Sequence, residues 1–238
     1  MVICIKINLS CTSLSDNTVT ALMMNYRLAA LFFLLLIMGG QLHAQKPFTE
    51  GVIIYKVKLE TPEHKEYRGT YAYTFKGTLV RKDLKLSNGY EDIVLYDCSN
   101  NSIYSLQNKG SKKYAIQLSM DDFLRDQQKF SGFTMKNETD ERKKIAGYDV
   151  TKGDVNYTDG TFSSIRFTKE WCPSQIVTFE RFPNAKFFPL YFSYTDEKGM
   201  TMTFEASKIE AQPVENAVFR IPADYKIISY NEYKEMSN

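Results

Sequence analysis

The stretch Gly51 to Glu60, GVIIYKVKLE, decides the fold. Tyr55, Val57 and Leu59 alternate with Lys56, Lys58 and Glu60, so an extended chain puts the apolar side chains on one face and the charged ones on the other. A helix would scatter both sets around its axis. The segment is predicted to be a half-buried strand. The same period recurs in Gly69 to Phe75, GTYAYTF, where Tyr71, Tyr73 and Phe75 share a face.

Turn residues then punctuate the chain. Asn88-Gly89 separates LVRKDLKLS from YEDIVLYD, Asn108-Lys109-Gly110 separates SIYSLQ from SKKYAIQLS, and Asp159-Gly160 separates YDVTKGDVNYT from TFSSIRFT. Glu197-Lys198-Gly199 does the same between PLYFSYTD and MTMTFEASKIE. Hairpins in series build an antiparallel meander, not a parallel sheet with helical crossovers. The period of two breaks at Ser119 to Phe130. Ser119 is a candidate N-cap, Asp121 and Asp122 suit the positive end of a helix dipole, and Phe123, Gln127 and Phe130 fall on one side with Leu124 beside them. One short amphipathic helix is predicted there. Pro173 to Phe182 reads equally as a strand or as an irregular or helical piece. The fold class is therefore mainly β: a single curved antiparallel sheet forming an incomplete barrel, with one or two short helices over its concave face.

At the N-terminus, Arg27 is followed by Leu28 to Gly40, an uncharged apolar run of about 13 residues, and then by QLHAQ. A basic start, an apolar run and a small residue at the cleavage point are the layout of a secretory signal, and the run is short of the roughly 20 residues a spanning helix needs. Residues 1–23 are expected to precede the true start, 24–44 to be a signal segment cleaved near Ala44, and 45–238 to be a single soluble domain without a permanent membrane anchor. Lys and Arg number 30 against 28 Asp and Glu, scattered without blocks, so no nucleic-acid footprint or polybasic membrane patch is expected.

Candidate chemistry is sparse. Cys4 and Cys11 lie before the signal, leaving Cys98 and Cys172, which either pair as a disulfide or stand as two separate buried thiols. The remaining histidine, His64, sits in the loop-like ETPEHKEYRG and reads as an exposed turn residue rather than a general base. No cofactor or metal is expected: there is no nucleophile elbow, phosphate-binding glycine loop or HExxH. Asp154 to Gly160, DVNYTDG, has the wrong spacing for a calcium loop and reads as a polar hairpin. Arg142 to Val150, RKKIAGYDV, is read as a solvated approach to a strand, with Ile145 and Tyr148 turning onto the sheet and Gly147 permitting a bulge or a close backbone contact.

Phe and Tyr, 16 of each, are dense on the alternating positions. They either fill a core or line an apolar cavity, if the concave face carries more apolar surface than one short helix covers. Tyr55, Val57, Tyr71, Tyr73, Phe75, Phe123 and Phe130 are the candidate lining.

Several features occur together and in order: FTEGVIIYKVK from Phe48, RKKIAGYDVTKGD from Arg142 and IRFTKEW from Ile165. After them come Pro189-Leu190 opening a hairpin, Thr203-Phe204-Glu205-Ala206 with Ile209 on its second strand, and Phe219 to Tyr225, FRIPADY. This resembles exported Bacteroidetes-type proteins of the LolA/LolB-like superfamily, related to the GLPGLI group. Lys186 to Leu190, KFFPL, stands where that group's signature would be. The resemblance implies an open half-barrel in the Gram-negative periplasm, non-enzymatic, binding a lipid such as a lipoprotein acyl chain. The alternative is a structural or interaction module of the cell envelope with a filled core and a protein partner.

Overall fold

The computed structural model describes residues 45–158, 160–174, 179 and 181–236. The signal-segment reading falls on residues 1–44 and lies outside the described residues, as does part of the Pro173 to Phe182 stretch.

The alternation found in the sequence sets the strands. In β2 (Glu50–Glu60) Ile53, Tyr55 and Val57 are buried while Lys56 between them is exposed. It pairs antiparallel with β3 (Glu66–Lys76), which hydrogen-bonds to β4 (Leu79–Leu86). The meander continues through β5 (Glu91–Asp97), β6 (Ser102–Lys109) and β7 (Lys112–Leu118). Gly89 and Gly110 take positive φ at the turns assigned to them. Gly69 in β3 permits an unusually close strand, since a Cβ there would stand 1.9 Å from the Lys85 carbonyl oxygen.

After β7 comes α1 (Met120–Gln127). Ser119 caps it, its hydroxyl accepting from the Asp122 backbone N–H, and Asp121 and Asp122 occupy its first turn. A 3-10 turn over Gln128–Phe130 ends it. The second half of the sheet is β8 (Thr134–Ile145), β9 (Tyr148–Asn156) and β10 (Phe162–Thr168), then β12 (Phe188–Thr195) and β13 (Thr201–Glu210), which returns to pair with β2. Register shifts at Arg166/Phe167, Ala206/Lys208 and twice in β8 add bends that curve the sheet.

Among the described residues twelve strands, the last of them β14 (Lys226–Ser229), form one open sheet in the order β14-β7-β6-β5-β4-β3-β2-β13-β12-β10-β9-β8. The expected incomplete barrel is therefore present, with two corrections. The sheet is mixed, because β14 joins β7 in parallel. A separate parallel ribbon joins β1 (Lys46–Phe48) to β11 (Trp171–Pro173). Both pairings link segments far apart in sequence, so no hairpin turn announces them. RKKIAGYDV is a hairpin rather than a loop approach. Arg142 to Lys144 lie within β8, Ala146 and Gly147 form the two-residue turn at φ 50° and 87°, and the bulge falls between Glu141 and Lys144. A Cβ on Gly147 would meet nothing within 4 Å, so no close backbone approach occurs there.

The inner face of the sheet carries the main core under α1, and the outer face is crossed by the chain after β13. That chain packs Ile221 and Tyr225 on Leu95, Leu106 and Ala115. Lys76 bonds the Val214 carbonyl, the Val214 N–H donates to Glu50, and Lys113 pairs with Asp224 at 2.7 Å. It ends in β14 and α2 (Tyr230–Glu235), whose capping box joins Ser229 and Glu232. Among the described residues no helix is long and apolar enough to cross a membrane.

Candidate functional site

The inner face has two zones. In the first, aromatic rings meet edge to face: Phe48 packs against Phe75, Trp171 and Phe188 with centroids 5.0–5.6 Å apart. Tyr55 is fully buried, donates its hydroxyl to the Pro189 carbonyl at 2.8 Å, and burial raises its pKa well above the usual phenol range. Tyr55, Val57 and Phe75 were expected to line a cavity. They instead belong to this packed floor: the Phe48 ring lies against Phe75, the Phe192 and Phe204 rings lie against Tyr55, and Val57 is buried in the same cluster.

In the second zone the rings of the sheet pack on one another, and a space remains between them and α1. A cavity of about 440 Å³ lies between the sheet and α1. Tyr71, Tyr73, Phe192 and Phe204 form its sheet wall, Phe123 and Phe130 its helical wall, and Phe179 and Phe182 one end. Phe192 and Phe204 stack at 4.5 Å, with Tyr71 and Tyr194 within 6 Å of Phe204. The structure thus brings Tyr71, Tyr73, Phe123 and Phe130 together around one space. A groove of about 470 Å³ adjoins it, sharing Lys129, Phe130, Arg181 and Tyr194.

Three polar side chains shape this zone. Gln127, at the end of α1, is 5% exposed, and neither its Oε1 nor its Nε2 has a hydrogen-bond partner among the described residues. A buried amide without partners costs about 1–3 kcal/mol, so its place on the cavity wall calls for a reason. The Arg181 guanidinium lies against two rings, 3.8 Å from the centre of Tyr194 and 4.6 Å from that of Phe130. Lys82 on β4 is 1% exposed, with its ammonium 4.6 Å from Tyr96, 5.3 Å from Tyr73 and 5.9 Å from Phe123.

Lys82 was legible in principle, since Val80, Lys82, Leu84 and Leu86 alternate onto one face. Gln127 had its signal in the shared helix face with Phe123 and Phe130. Arg181 had none, because it lies in the irregular chain before β12.

The remaining candidates lie apart from this zone. Cys98 and Cys172 are both unbonded and half-buried: one follows β5, the other lies in the β1–β11 ribbon. Burial, and next the Asp97 charge, raise the Cys98 thiol's pKa, which opposes thiolate formation. His64 sits at a turn with φ 59°, its side chain 88% exposed and 3.3 Å from Glu60. Asp154 accepts from the Asn137 amide at 2.8 Å within the β8–β9 hairpin. No group of three metal-ligating side chains occurs among the described residues.

What fold and cavity define is an open β half-barrel with a helix over an aromatic interior. No protein-family model and no curated protein matches the sequence. Among solved structures the chain is similar to a LolA superfamily protein of Nitrosomonas europaea. The identity is 13%, the match covers 74% of this chain and 92% of that one, and the TM-score is 0.38.

Proposed function

We propose that this is a non-enzymatic exported protein that binds a lipid or other hydrophobic ligand, of which a lipoprotein acyl chain is one example, in the space between the sheet and α1. The observation that carries the reading is the cavity itself: about 440 Å³, walled by aromatic side chains, within the size range of small-molecule sites. Each methylene moved from water into such a space contributes roughly 0.8 kcal/mol before the entropy of association is subtracted. No covalent chemistry is called for, and the two thiols and the histidine are not gathered around a substrate-sized space. The same interior also supports a second reading. The solid floor around Tyr55 and Phe48 is what a structural or interaction module of the envelope would have throughout.

Native mass spectrometry of the protein isolated from its own host separates the two, alongside titration with the neutral apolar dye N-phenylnaphthylamine. The binding reading expects a co-purifying lipid and saturable dye fluorescence. It also expects about 10-fold weaker dye binding in Leu84→Trp, which narrows the cavity, with the fold retained. A ligand-free protein that leaves the dye dark would establish the module instead.

A further inference from the structure

We infer that the ligand of this cavity is an anionic amphiphile whose charged head is bound by Arg181 and Lys129 beside Phe130, with a carbonyl or hydroxyl next to the head taken by the Gln127 amide. The inference rests on the hydrophobic-binding reading and adds the polar end of the ligand to it.

Three observations converge. Arg181 and Lys129 both line the cavity and the adjoining groove, and both stand over the ring of Phe130, at 4.6 and 5.1 Å from its centre. Neither makes an ion pair with the described residues, whereas Lys58, Arg68, Arg81, Lys85, Lys113 and Arg166 on the sheet each reach a carboxylate. Two cations gathered on one ring repel each other unless an anion stands with them. Contact with both Phe130 and Tyr194 restrains the guanidinium, whose forked donors favour a planar or tetrahedral oxyanion.

Of the carboxylates that line the same space, Asp92, Asp126, Asp196 and Glu197, none forms an ion pair with Arg181 or Lys129 among the described residues. Asp196 Oδ1 accepts the backbone N–H groups of Lys198 and Met200 in its own turn, at 2.9 Å each. Asp92 accepts from Gln107 at 3.2 Å, and Asp126 is exposed on α1. Independently, Gln127 is buried and unpartnered on the wall of the same cavity. Its amide offers a donor and an acceptor beside Phe123 and Phe130, whose rings offer neither, so it selects a ligand with a polar group just inside the head. The apolar remainder then lies along Tyr71, Tyr73 and Phe204. A carboxylate and a phosphate head share this chemistry.

The test uses the full chain and three probes: a fluorescent stearic acid, its methyl ester with the same chain and no charge, and inorganic phosphate. The acid is expected to bind roughly 10-fold or more tightly than the ester. Arg181→Gln should remove that preference by lowering acid affinity about 10-fold, with an unaltered thermal melt showing an intact fold, and Lys129→Gln should reduce it. Gln127→Leu should weaken both acid and ester. Phosphate at millimolar concentration should not displace the acid. Equal binding of acid and ester overturns the inference and leaves the hydrophobic reading standing. Failure of both probes overturns the two together. Phosphate that binds alone and competes, with loss in Arg181→Gln, shows a free-anion site and overturns the amphiphile.

Discussion

Tyr55 and Gln127 are both buried polar residues of the inner face, and they predict opposite responses to loss of their polar atoms. The Tyr55 hydroxyl donates to the Pro189 carbonyl, so Tyr55→Phe removes a buried hydrogen bond and should cost about 1–2 kcal/mol in urea denaturation. Gln127 satisfies nothing in the protein alone. Gln127→Leu keeps the volume, removes the unpaired amide and should raise stability by about 1 kcal/mol in the same assay, while ligand affinity falls. A destabilised Gln127→Leu would mean that the amide has a structural partner and no ligand role.

At the scale of elements, the β8–β9 hairpin turns on Ala146 and Gly147, both in the left-handed region. Alanine lacks the side-chain hydrogen bond that lets asparagine rest there, and its Cβ crowds the backbone. Ala146→Asn should therefore stabilise by about 0.5–1 kcal/mol, read as a shift in the melting midpoint. This turn also shows what the sequence could and could not disclose. Hairpins at Asn88-Gly89, Asn108 to Gly110 and Glu197 to Gly199 were legible because their residues carry the turn's dihedral demand locally. Ala146-Gly147 lacks the usual first residue, so its cations looked like a loop and are in fact the end of a strand. The α1 cap at Ser119 and the aromatic face of α1 were legible for the same local reason. The parallel pairings of β14 and β1 were not, because they depend on where distant segments end up. Nor was the division of the aromatics into a packed floor and an open cavity: Tyr71 and Phe75 have the same sequence pattern and differ in what lies across from them.

For the molecule as a whole, the chain after β13 is a strap over the outer face, pinned by carboxylates. The Glu50 pKa lies below its usual 4.5, chiefly because Glu50 accepts the Val214 N–H, and Asp224 lies below its usual 3.8, chiefly through Lys113. A depressed carboxylate pKa contributes stability that is complete above the unfolded value and is lost as pH falls through the folded one. Acidification below about pH 4 should thus loosen the strap before the inner core. Hydrogen exchange should show the amides from Val214 to Ile228 losing protection while those of β2 and β3 hold; simultaneous loss would place the strap and core in one cooperative unit. The strap has one more effect. By laying β14 along β7 and following it with α2, it leaves only a four-residue strand at that border of the sheet, while the opposite border, β8, is interrupted by two bulges and rich in charge. Linear growth by strand addition needs two straight, complementary borders on every copy. This chain offers neither, so even crowded at high concentration its large open sheet has no valence for polymerisation.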